Sequence, residues 1–256
     1  MGEPQRLDDF LSWKPKKLKS FLSHGLMYEG SRLLLYGKYK SMKSMLAIRF
    51  ALAMATGCPW LGFDGPDEGA SVLHLQLEIP HQLLQNRVIQ MTCGRDTTKK
   101  SLYFWTEHFV KLDADFGMSL VKRQIEKLEP EILVVDPIYK VISGNLLDAH
   151  AATQFLDRID QLMADYPISV LMVNHTRKGV QDEDVWGSDD MIGSSIFSNW
   201  ADSVIRISKE VKERQTLITA NFDVLRHAAK ELEPREFTVT KDLDFKLISN
   251  IMKESK

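Results

Sequence analysis

The chain is expected to fold as an α/β domain, with a doubly wound, mainly parallel sheet flanked by helices and antiparallel strands added at the C-terminal edge. Three observations predict this. Apolar runs such as ILVV (132–135) and VLMV (170–173) are continuous rather than alternating, as burial on both faces of a parallel sheet requires. From residue 32 to about residue 175 such runs alternate with segments of helical periodicity. Beyond residue 200 the texture changes to SVIRIS, TLITANFDV and EFTVT, short runs of period-two character with no long helix between them.

The elements follow in order. Residues 1–30 read as an amphipathic lead-in, with Lys14, Lys16, Lys17 and Lys19 near a tryptophan and two phenylalanines and too little apolar surface to fold alone. The core is expected over 31–250, with 251–256 as a tail. It starts with the strand RLLLYG (32–37), then a helix from Lys43 to Thr56 stopped by Gly57 and Pro59, then the strand SVLHLQLE (71–78). Helix PHQLLQNRVIQMT, strand SLYFWT, amphipathic helix FGMSLVKRQIEKLE and strand EILVVD come next. Helix AATQFLDRIDQLMADY and strand SVLMVNH complete the parallel part. The polar stretch from Arg177 to Asp190, with Gly179 and Gly187, predicts a mobile loop.

Composition narrows the function classes. With 256 residues, 44% hydrophobic and 27% charged, the chain is an ordinary globular one. A net charge of −2 excludes a global polybasic mode of nucleic-acid binding, so any such contact must come from a local patch or from several subunits. Two cysteines, Cys58 and Cys93, make neither a disulfide framework nor a zinc site, which points to a reducing, cytoplasmic setting. The N-terminus lacks a signal-peptide layout and no apolar run is long enough for a bilayer span, so no membrane role is expected.

The sharpest local signal is Gly37-Lys38-Tyr39-Lys40-Ser41-Met42-Lys43-Ser44, between the first strand and the first long helix. It matches G-x-x-x-x-G-K-[ST] except at Met42, where glycine is expected. Such a loop wraps phosphates with backbone N–H groups at a helix N-terminus, while the lysine neutralises them and the hydroxyl binds Mg²⁺. Lys43 and Ser44 take those two roles. A bare basic helix start is the alternative, but Lys38, Lys40 and Lys43 crowd the positive end of a helix dipole, which is unfavourable without a bound anion.

Asp136 follows ILVV directly and suits a carboxylate that holds Mg²⁺, or else a turn cap before Pro137. Glu78 closes LHLQLE at the strand edge where ligands bind in open α/β sheets, and is the candidate to deprotonate water, or else an acid at a helix start. His175 closes LMVNH and is either a satisfied strand-end histidine or a sensor of the terminal phosphate.

Together these residues resemble the RecA-like P-loop ATPases, and among them the branch of RepA-type hexameric replicative helicases and related phage and plasmid ATPases. The resemblance spans roughly residues 30 to 240 and rests on five segments in family order, from RLLLYGKYKSMKSMLAIRF to GSSIFSNWADSVIRI. It implies ATP and Mg²⁺ as ligands, with Gly37, Lys43 and Ser44 on the phosphates and Mg²⁺, Glu78 as catalytic base, Asp136 as metal-side acid and His175 as sensor. NFDVLRHAAKELEP resembles the family's late Lys-x-Arg segment, so that Arg226 becomes an arginine finger acting on a neighbouring subunit. Val224 replaces the lysine, and Arg206 is a lesser substitute.

Two loops, Ile138 to His150 and Arg177 to Asp190, would line a central channel, with Lys140, Arg177 and Lys178 contacting single-stranded DNA. The resemblance thus implies an ATP-hydrolysing ring motor on DNA, a helicase or helicase-like ATPase. The alternatives are a RecA-fold recombination, loading or assembly factor with weak hydrolysis, and a regulatory ATPase of the same fold.

Overall fold

Strands that carry no polar residue for a solvent-facing side have to be covered on both faces, and the computed structural model of the chain shows how this is done. It describes residues 4–176, 194–213 and 215–250. In chain order the elements are α1 (Leu7–Ser12), β1 (Ser20–Leu22), β2 (Met27–Tyr28), β3 (Arg32–Gly37), α2 (Lys43–Thr56) and β4 (Val72–Gln76). Then come α3 (His81–Thr92), β5 (Leu102–Thr106), α4 (Asp115–Leu128), β6 (Ile132–Asp136), α5 (Ile138–Val141) and α6 (Ala149–Asp165). The rest are β7 (Ser169–Val173), α7 (Ser194–Trp200), β8 (Ser203–Lys212), β9 (Gln215–Leu225), β10 (Arg235–Val239) and β11 (Phe245–Asn250).

One sheet takes nine of these strands in the order β11-β10-β9-β8-β3-β7-β6-β4-β5. The stretch from β8 to β5 is parallel throughout, and β9, β10 and β11 add antiparallel to its β8 side. All six parallel strands therefore finish at one carboxyl edge. Alternation sorts their side chains. Leu34, Leu73, Leu75, Leu133, Val135 and Val170 pack against α4 and α6 through Val121, Ile125, Phe155 and Ile159. Leu33, Leu35, Val72, Ile132, Val134 and Leu171 pack on the other face against Ala47, Phe50, Ala51 and Met54 of α2. Register places Asp136 on this second face, two residues beyond Val134, so its carboxyl faces the start of α2.

Local signals set the ends. α2 stops at Gly57, whose φ of 73° is left-handed and whose N–H bonds the Ala53 carbonyl. A Cβ there would stand 2.6 Å from the Pro66 carbonyl oxygen. α6 starts at Asp148, whose side chain accepts from the His150 N–H.

The structure departs from the sequence reading in four places. β4 and β7 stop at Gln76 and Val173, two residues short of Glu78 and His175, which stand beyond the strands. The segment from Ile138 to His150, expected as a loop, contains α5 and the first residues of α6, because Ile138 and Val141 are buried one helical turn apart. Within the expected lead-in, the β1–β2 hairpin buries Phe21, Leu22, Leu26 and Met27 in the core on the α2 face. β11 is an additional edge strand, since FKLISN lacks a clear alternation of its own. The stretch from Arg177 to Asp190 lies outside the described residues.

Candidate functional site

The phosphate-loop octapeptide joins the end of β3 to the start of α2. Gly37 has a φ of 156°, and a Cβ there would lie 2.2 Å from the Ile207 carbonyl oxygen and 3.0 Å from Ser41 Oγ. Only glycine lets β3 leave the sheet beside β8 at that point. Met42 caps α2 with φ 68° and ψ 18°, the left-handed conformation that glycine adopts without penalty. For methionine it costs of order 1–2 kcal/mol, which is offset in part because the half-buried side chain packs against the α2-face cluster. Met42 thus keeps the backbone conformation a glycine would give, while its side chain also forms part of the cavity wall.

Lys43 is almost fully buried, and its ammonium donates to the carbonyls of Gly37 at 3.0 Å and Lys38 at 2.7 Å and to Ser41 Oγ at 3.3 Å. Burial lowers its pKa to about 8, with Asp136 and Glu78 opposing the shift. One residue on, Ser44 Oγ donates to Asp136 Oδ1 at 3.0 Å.

Asp136 is fully buried. Burial raises its carboxyl to about 6 against the hydrogen bonds from Ser44 and Gln76. Gln76, opposite it in register on β4, donates from Nε2 to Asp136 Oδ2 at 2.9 Å and accepts the Glu78 N–H at 2.9 Å and the Ile79 N–H at 3.3 Å. One buried amide therefore ties the Asp136 carboxylate to the backbone that presents Glu78. The Glu78 carboxylate itself is exposed at the edge and accepts a hydrogen bond from the Tyr139 hydroxyl of α5.

His175 packs edge-on to Tyr139 at 5.5 Å between ring centroids and near Tyr39 at 6.3 Å. Burial, and secondarily Lys43, lower its pKa to about 4, so the ring is neutral at physiological pH. A cavity of about 280 Å³ gathers Tyr39, Lys40, Ser41, Met42, Lys43, Ser44, Glu78 and His175, together with Arg87 of α3. Lys38 lines a neighbouring cavity on the β8 side of the loop with Tyr39, Lys40 and Ser41.

The structure therefore brings the octapeptide, Glu78, Asp136 and His175 to one place. Ser44 and Asp136 offer hard oxygen atoms at hydrogen-bond distance from each other, a donor pair suited to Mg²⁺. The loop with its obligatory Gly37 and the free end of α2 suit a polyphosphate.

Other expected residues lie elsewhere. Arg226 follows β9, where Leu225 pairs with Ser203 at the start of β8, and its guanidinium donates to the Asn199 carbonyl. Ser203 in turn pairs with Leu33, at the opposite end of β3 from Gly37. Arg226 is therefore separated from its own phosphate loop by roughly the length of the strand, about 15 Å at 3.3 Å per residue. Val224 packs partly buried against the α4–α6 face. Arg206 is held by Asp223 at 3.1 and 3.4 Å. Lys140 sits on α5 with its ammonium 5.6 Å from the Tyr139 ring centre. Arg177 and Lys178 lie outside the described residues.

Gln76, Arg87 and Tyr139 are site residues that the sequence reading missed. A glutamine inside a strand buried on both faces was a usable signal for the first. Arg87 and Tyr139 needed knowledge of which helix faces turn to the cavity.

Residues 3–181, from the lead-in through β7, match the family described as AAA domain. No curated protein matches the chain. Among solved structures, a KaiC-like protein from the hyperthermophilic archaeon Pyrococcus horikoshii is similar at 14% identity, with 90% of this chain and 94% of that chain covered and a TM-score of 0.61. At that identity the likeness is one of fold, and it agrees with a RecA-like arrangement of a mostly parallel sheet with antiparallel C-terminal strands. Among the described residues no helix is long and apolar enough to cross a membrane.

Proposed function

The chain belongs to the AAA domain family, and from that premise we propose that it is an ATP-hydrolysing RecA-like motor that acts on single-stranded DNA as a ring of identical subunits. The observation that carries the ATPase reading is the convergence of Lys43, Ser44, Glu78 and His175 on one cavity, with Asp136 bonded to Ser44 behind it. The loop amides and Lys43 hold the phosphates, Lys43 exchanging its bonds to the loop's own carbonyls for phosphate oxygens. Ser44 and Asp136 would hold Mg²⁺, which supplies positive charge at the phosphate oxygens.

Glu78 takes the proton of the attacking water as the water oxygen bonds to the γ-phosphorus and the bridging bond to ADP breaks. The Tyr139 hydroxyl and the Gln76 amide position that carboxylate. Neutral His175 is placed to bond the terminal phosphate and to pass its presence to the segment that follows it. For the DNA reading, the support is the family resemblance together with Lys140 and the partly exposed Tyr139, a basic and an aromatic side chain at the same edge.

One observation favours a second reading. The seating of Lys43 on the loop's own carbonyls, in a cavity whose wall includes Met42, suits a nucleotide-binding loading or assembly factor with weak turnover. ATP turnover with and without single-stranded DNA, alongside strand displacement, separates the two. The motor reading expects DNA to stimulate turnover and expects Glu78→Gln to keep ATP binding while losing roughly 10²–10⁴-fold in rate. Wild-type turnover in Glu78→Gln would reject the base assignment. Tight ATP binding with neither DNA stimulation nor displacement would favour the assembly factor.

A further inference from the structure

α3 begins three residues after Glu78, and Arg87 lies in its second turn. Side chains on a helix lean toward its N-terminus, so the guanidinium reaches back to the carboxyl edge, where it lines the same cavity as Lys43, Ser44, Glu78 and His175. Among the described residues, the other partly buried arginines all have an oxygen partner. Arg32 bonds Asp160, Arg49 bonds Asp244, Arg158 bonds Asp115, Arg206 bonds Asp223 and Arg235 bonds the Leu61 carbonyl. Arg87 is partly buried and has no hydrogen bond or ion pair among the described residues. A half-buried guanidinium left without a partner is costly unless something else meets it. Burial pushes its pKa down, with the Asp136 charge opposing that shift.

We propose that Arg87 contacts the γ-phosphate of ATP bound in its own chain, supplying in cis the positive charge that the family resemblance assigns to a neighbour's Arg226. The proposal rests on the ATPase reading above. The cavity already brings Lys43 to the phosphate end, and a second cation on its α3 side faces the same anion from another direction. As the water oxygen bonds to phosphorus and ADP departs with the bridging oxygen, negative charge redistributes over the terminal and bridging oxygens. Arg87 stays protonated and transfers nothing, and its planar fork donates to those oxygens. Arg226, at the other end of the strands and bonded to the Asn199 carbonyl, has no such access within the chain.

The test compares the full-length wild type with Arg87→Ala, Arg87→Gln and Arg87→Lys. The expected result is a loss of about 10²–10³-fold in kcat for the alanine and glutamine variants, partial recovery in Arg87→Lys, and ADP affinity within about threefold of wild type. Trapping of ADP with aluminium fluoride, which mimics the transferring phosphoryl group, is expected to be lost with kcat. Mixing Arg87→Ala with Lys43→Ala subunits must not restore turnover, because neither chain then carries both residues. Recovery on mixing would show that Arg87 acts on a neighbour and would overturn the proposal. Wild-type kcat in Arg87→Gln would overturn it while leaving the ATPase reading standing. A wild-type protein that neither binds nor turns over ATP would overturn that reading, and Arg87 with it.

Discussion

The amino edge of the sheet holds Arg32, Asp160 and Asp202 in one network, whereas the carboxyl edge holds Lys43, Arg87, Asp136 and Glu78 around a cavity. At the amino edge the Asp202 carboxylate accepts the Arg32 N–H at 2.8 Å, Arg32 Nε reaches Asp160 at 2.9 Å, and the Trp200 indole N–H bonds the same Asp160 oxygen at 2.8 Å. Lys19 pairs with Glu131 at the start of β6. At the carboxyl edge a lysine sits on carbonyls, an arginine has no oxygen partner among the described residues, and a carboxylate is buried far enough to hold its proton more tightly. Both edges carry charge. One is matched within the chain and serves stability, and the other stays mismatched until an anion and a cation arrive together.

The comparison breaks first at Asp202. Asp202→Ala leaves the Arg32 N–H and guanidinium without that carboxylate, and should cost about 1–3 kcal/mol in urea unfolding, with ATP turnover per folded molecule unchanged. A large loss of turnover without loss of stability would place function at the amino edge.

His74 gives a smaller effect from within the site. It is fully buried on β4, neither ring nitrogen has a hydrogen-bond partner in the described structure, and Nε2 lies 4.0 Å from Asp136 Oδ2. Burial lowers its pKa from 6.5 to about 3. Between those values the unfolded chain binds a proton that the folded one refuses, so stability falls as the pH drops from 6.5 toward 3. His74→Leu should therefore remove about 2 kcal/mol of acid sensitivity at pH 5. Asp136 works the other way: its raised pKa lets the folded chain keep a proton between 3.8 and about 6, which favours folding as pH falls through that range. Unfolding free energies at pH 5 and 7, compared between wild type and His74→Leu, measure the difference. An unchanged difference would contradict a neutral, unpartnered His74.

The smallest effect sharpens the role of Lys43. With its pKa lowered to about 8, the free protein loses the lysine's charge above that pH, and ATP affinity should fall about tenfold per pH unit there. Lys43→Arg should abolish the alkaline decline. A decline of the same midpoint in Lys43→Arg would assign it to another group.

How much of this was legible follows from locality. Lys43 and Ser44 lie within one octapeptide, and Asp136, Glu78 and His175 each close an apolar run, so a parallel sheet alone carries them to one edge. Gly37 was legible as a motif position, but its reason, the Ile207 carbonyl beside it, belongs to a strand 170 residues away. Arg87 was hidden because HQLLQNRVIQMT buries only Leu84 and Met91, which leaves its cavity-facing side unmarked. The β1–β2 hairpin was hidden because its four core residues gain their burial in a cluster with residues distant in sequence, from Leu33 to Phe237, which no local pattern reveals.

Calorimetric titration of ATP with Mg²⁺ into the wild type and into Lys43→Ala tests the central claim most directly. The account predicts one nucleotide bound per chain in the wild type and a loss of that binding when the ammonium is removed. Equal binding by both proteins, or none by either, would contradict a triphosphate site at the start of α2.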